Sequence, residues 1–102
     1  MPFKFPKKPR LTLERAEAIA AEGLAFLAEE PGRLSHFLTA NGCDIEALRN
    51  GAGSAEVLRA VLEHLEGDES LLLVFAASRG LAPEEISPAL AVLQGGASGR
   101  RS

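Results

Sequence analysis

Helix stop and start signals recur roughly every dozen residues along this chain, and they constrain its fold more than any other feature. Thr12, Asp44, Ser54 and Asp68 each stand just before an apolar periodicity. Their side chains accept hydrogen bonds from the first unpaired N–H groups of a helix. Asn41-Gly42, Gly67 and Gly80 close such periodicities, while Pro31 and Pro83 suit the opening turn of the next. Isolated helices this short are marginal in water, so each must bury one face against its neighbours. Ala and Leu fill 33 of the 102 positions, and Val, Ile and Thr only nine. Ala and Leu lose little entropy in a helix, and β-branched residues favour strands. The expectation is an all-α fold, a compact bundle of about six short helices.

The buried faces follow from steps of three and four. Helix 1, about 13–29, aligns Ala16, Ile19, Ala20, Gly23, Phe26 and Leu27. Gly23 lies on that stripe, where a close helix–helix approach or simple tolerance accounts equally for it. Helix 2, about 31–40, turns Leu34, Phe37 and Leu38 inward, and helix 3, about 45–50, turns Ile45 and Leu48 inward. Helix 4 begins after Ser54, presents Leu58, Val61, Leu62 and Leu65, and stops at Gly67. Helix 5 holds the run Leu71 to Ala77, apolar on every side, which predicts a place in the middle of the bundle. Helix 6 opens at Pro83 with Ile86, Leu90 and Leu93 facing in. Pro88 means that this helix either kinks or restarts with Ser87 as its cap and Pro88 in its first turn.

The domain organisation expected is a basic arm over 1–10, a single helical domain over 11–94, and a flexible Gly/Ser/Arg tail over 95–102. The formal charge of −3 hides an asymmetry. Residues 11–99 carry five arginines against fourteen acids, a net of −9. The arm contributes Lys4, Lys7, Lys8 and Arg10. Such an arm clamps phosphates without sequence preference, aids solubility, or folds back on an acidic face. Phe3 and Phe5 alternate with Pro2, Lys4 and Pro6, so their rings either float free or lie on the body.

The helix 2–3 segment Phe37 to Leu48 echoes Phe75 to Ile86, sharing an aromatic, a glycine five later, a glutamate and an aliphatic. Residues 71–93 also resemble a helix-turn-helix, with Ala76, Gly80, Leu81 and Ile86 in the key places. The second helix begins with Ala82, Pro83, Glu84, Glu85, Ser87 and Pro88, which offer no base-reading side chain and two carboxylates that repel phosphate.

Catalytic and cofactor signals are lacking. The single cysteine, Cys43, allows no intrachain disulfide and no cysteine-based zinc site. His36, His64 and Cys43 have no spacing that marks a nucleophile–base pair. Asp68-Glu69 and Glu84-Glu85 sit at helix starts, where the macrodipole favours acids. No phosphate-binding glycine motif occurs, and no apolar stretch approaches membrane-spanning length. These readings predict a cytoplasmic, non-catalytic module without cofactor, metal or small-molecule substrate. Its partner is another protein or a second copy. The alternative is a nucleic-acid-associated regulator that uses residues 71–93 and the basic arm.

The chain as a whole resembles a small bacterial family known as domain of unknown function 3572. The likeness rests on LTLERAEAIAAEGLAFLAEEPGRL beginning at Leu11, GCDIEALR at 42–49 and GDESLLLVFAASRGLAPEEI at 67–86. It covers about residues 10–95 and implies a compact helical domain, but no activity, cofactor or catalytic residue. Pro88 departs from the pattern of that family.

Overall fold

The computed structural model describes residues 11–51 and 53–98. Among them the chain forms α1 (Leu13–Ala28), α2 (Pro31–Asn41), α3 (Ile45–Gly51), α4 (Ala55–Glu66), α5 (Glu69–Arg79), a 3-10 turn (Pro83–Glu85) and α6 (Ile86–Ser98). No strand occurs among the described residues. The all-α expectation therefore holds.

The capping chemistry sets these bounds. Thr12, Asp44, Ser54 and Asp68 accept backbone N–H groups of Arg15, Ala47, Val57 and Leu71 at 2.9–3.2 Å. Each bond satisfies one of the four N–H groups that a helix start leaves unpaired. α2 and α5 end alike. Gly42 and Gly80 take up left-handed backbone at φ 63° and 68°. Cys43 N–H then donates to Leu38 O, and Leu81 N–H to Ala76 O. This is the Schellman closure in both cases, and it needs a residue without the Cβ penalty at positive φ. The two halves of the sequence echo thus share one local geometry. Phe37 and Phe75 are buried in both, as are Leu48 and Ile86.

The core lies where α1, α4 and α6 pack against one another. The expected stripes of α1 and α4 are all buried. Gly23 is a notch for close approach: a Cβ placed there would stand 2.9 Å from Val61 Cγ1 and 3.0 Å from Leu65 Cδ1. Ala16, Ala20 and Ala89 are fully buried as well. Small side chains on α1 and α6 allow these helices to close on α4. Phe26 and Phe75 meet at a tilted 5.3 Å, fixing α5 to α1.

Three expectations are corrected. α5 is not the centre of the bundle. Only Phe75 and Ala76 of this helix are buried, because the longer α1, α4 and α6 already enclose one another. Ile45 is 46% exposed, since the seven-residue α3 packs against α4 and seats only Leu48 in the core. The helix does restart with Pro88 in its first turn, but Ser87 is not its cap. The chain first makes the 3-10 turn, and α6 starts at Ile86, which puts Pro88 in the first turn, where no intrahelical N–H bond is needed. The backbone of α6 continues past Gln94 to Ser98. Glycine at 95 and 96 weakens a helix without forbidding it.

Candidate interaction surface

α5 is tied down at one end and bare along one side. At its C-terminus Arg79 reaches across to α1, with Nη2 2.9 Å from Glu29 Oε2 and Nε 2.9 Å from Glu22 Oε1. The Glu29 contact is a hydrogen bond, while the Glu22 contact is charge against charge without hydrogen-bond alignment. The Glu29 bond, helped by the charge of Glu22, raises the already high pKa of Arg79. Arg33 covers the other side of the junction, its guanidinium 4.1 Å from the centre of the Phe26 ring. A weak bond from Arg33 Nη1 to the Phe26 carbonyl adds to that contact.

Between Glu69 and Arg79 lie nine uncharged residues. Ser70, Leu73, Val74 and Ala77, at steps of three, one and three, line the outward face of α5. Leu73 is 46% exposed and Val74 49%. The outer side of α4 shows the contrast, because Glu56 and Glu63 face water there and Arg59 pairs with Glu63. Single exposed aliphatics are ordinary on protein surfaces. Leu73 and Val74 differ from these in standing side by side on an uncharged helical stripe.

Two open grooves flank the core. One, of about 320 Å³, lies between α2, α3 and α4 and is lined by Phe37, Cys43, Leu48, Glu56 and Val57. The other, of about 460 Å³, runs between α1 and the end of α5, past Arg15, Glu22, Arg79 and Leu81. Its charges are spent internally: Arg79 on Glu22 and Glu29, and Arg15 on Glu85 at 3.4 Å. Neither groove gathers a catalytic set.

The structure does bring the two histidines together. The rings of His36 on α2 and His64 on α4 lie 5.4 Å apart, and His64 meets Phe37 edge-on at 5.2 Å. Burial lowers the His64 pKa, the charge of His36 lowers it further, and Asp68 opposes both. Nothing in the sequence connects this pair, because 28 positions separate the residues and no motif links them. Cys43 lies in the groove lined by α3 and α4 residues. No group of three His, Cys, Asp or Glu side chains able to hold a metal occurs among the described residues.

The helix-turn-helix-like segment runs through α5, the 3-10 turn and α6. Ala76 and Ile86 are buried, and Gly80 makes the turn. Ala82, Pro83, Glu84, Ser87 and Pro88 face solvent, and Glu85 pairs with Arg15. Lys4, Lys7, Lys8 and Arg10, the candidate phosphate contacts, lie outside the described residues, as do the rest of the 1–10 arm and positions 99–102. No helix among the described residues is long and apolar enough to cross a membrane.

Comparison with curated proteins and with solved structures finds no match. The family described as Protein of unknown function (DUF3572) matches residues 13–96, and the chain belongs to that family.

Proposed function

We propose that the domain is a non-catalytic docking module of the cytoplasm, and that the outward face of α5 is where it holds a protein partner. One observation carries this reading: Leu73 and Val74 stand about half exposed on an uncharged helical stripe that Ala77 extends, while Phe75 and Ala76 are buried and Leu71 and Leu72 partly so. Apolar area removed from water stabilises association by roughly 25 cal/mol per Å². The largest aliphatic side chains on an outer face are thus the natural anchors for a partner. Arg79 and Phe75 support the role by fixing α5 to α1, so that the face is presented on a rigid helix. The single cysteine, which permits no intrachain disulfide, agrees with a reducing compartment.

Affinity capture from native cell extract tests the reading, with the wild-type chain and the Leu73→Asp/Val74→Asp variant as parallel baits. A partner held near one-to-one by the wild type and lost from the folded variant supports it. Identical capture profiles from the two baits would refute it.

A further inference from the structure

We propose that His36 and His64 form a pH-sensitive latch between α2 and α4, and that protonation of both rings frees the α2–α3 unit from α4 and opens the groove that holds Cys43. This inference goes beyond the reading of the α5 face and does not depend on it.

The α2–α3 unit is lightly anchored. α2 buries only Phe37 and α3 only Leu48, against four residues on α4 and six on α1. Leu34 and Leu38 add partial cover on α2. The start of α2 has no side-chain cap, and Arg33 holds that end through the Phe26 ring. Toward α4 the unit depends on Phe37, Leu48 and the histidine rings. Units with so few buried contacts open locally at a lower free energy than the whole domain unfolds.

The two rings stand at that junction. His36 is exposed on α2 and His64 half-buried on α4, with centres 5.4 Å apart. His64 also meets the edge of Phe37 at 5.2 Å, so the latch and the α2 anchor are one cluster. Neutral rings pack there without penalty. Protonated together, they place two like charges closer than the Debye length of about 8 Å at physiological salt. One of those charges is also partly withdrawn from water. Both costs exist only while α2 rests on α4, so separation of the helices relieves them.

The surrounding charges do not cancel this effect. Asp68, where α4 passes into α5, favours the proton on His64, but burial and His36 outweigh it and hold the His64 pKa below 6.5. Asp68 Oδ1 already accepts the Leu71 N–H, and Glu69 beside it is exposed. The buried faces of α1 and α6 that pack on α4 carry no charge. On α4 itself Glu63 pairs with Arg59, and Glu66, two positions from His64, does not share its side of the helix. On α3, Asp44 caps Ala47, while Glu46 and Arg49 are exposed.

Release uncovers the groove lined by Phe37, Cys43, Leu48 and Val57. The Cys43 thiol, half-buried in the closed unit, therefore reports the opening.

The test follows the full chain from about pH 7.5 to about pH 5.5, either side of the ordinary histidine value. Amide exchange is corrected for its intrinsic pH dependence, and Cys43 labelling by dithiodipyridine is normalised to the urea-unfolded chain at each pH. Acidification is expected to raise α2 and α3 exchange and Cys43 labelling at least fivefold, with α6 changing less than twofold. His36→Gln, at an exposed position, removes the second charge and should hold the rise in α2, α3 and Cys43 below twofold. No rise in α2, an equal rise in α2 and α6, or the same rise in His36→Gln overturns the proposal.

Discussion

Gly23 is the position where the packing of α1 can be tested most sharply. Replacing it with alanine improves helix propensity by about 1 kcal/mol. The added Cβ, however, would stand 2.9 Å from Val61 Cγ1 and 3.0 Å from Leu65 Cδ1. Leu65 Cδ1 is the end of a flexible side chain and can yield. Val61 Cγ1 cannot yield easily, because a β-branched residue in a helix has one favoured rotamer and Val61 is fully buried. Overpacking a tight core costs about 1–3 kcal/mol. The clash therefore outweighs the propensity gain, and Gly23→Ala should destabilise the domain by about 1 kcal/mol. The midpoint of thermal unfolding should fall by about 4–8 °C. In a Val61→Ala background the obstruction is gone, and the same substitution should stabilise by about 1 kcal/mol. Urea unfolding of the four chains gives a coupling energy of about 2 kcal/mol, large for one methyl group. Gly23→Ala stabilising the wild type, or acting equally in both backgrounds, would refute the account of the α1–α4 contact.

Further expectations concern the two glycine caps, the histidine pair and the α5 anchor. Gly80→Ala meets no neighbouring atom, yet left-handed backbone at φ 68° should make it cost about 1–2 kcal/mol by urea unfolding, with Gly80→Asn milder. Burial and then the charge of His36 lower the folded pKa of His64 below the ordinary histidine value of 6.5, against Asp68. The unfolded chain then binds the proton more readily, and stability present above pH 6.5 declines as pH falls below it. His64→Gln should flatten that part of the stability–pH curve. Arg79→Ala removes two partly exposed ion pairs and some packing, a loss of about 1 kcal/mol. Its clearer signature is faster amide exchange in α5 with α4 unchanged.

The helix bounds and the inward stripes were legible because they are local. A cap and its N–H lie three residues apart, and a stripe repeats within one helix, as Thr12 and the Leu58 to Leu65 series show. The location of α5 was not legible. An apolar run reads the same whether neighbours surround it or leave one side bare, and the difference lies in how α1, α4 and α6 enclose one another. Ala89 is not legible as a core residue, because its burial reflects close helix approach and not its own hydrophobicity. The His36–His64 pair and the Arg79 clamp join residues 28 to 57 positions apart, which no spacing rule connects. Ile45 shows the limit from the other side, since an aliphatic after a good cap is buried only if a neighbouring helix reaches it.

The central claim, that the α5 face holds a protein partner, is tested most directly by a photo-crosslinking amino acid placed at Val74 in the native cell, with Glu56 on the charged outer side of α4 as the control. The account predicts one discrete heavier adduct from position 74 and none from position 56. No adduct from position 74, or the same adducts from both positions, would contradict it.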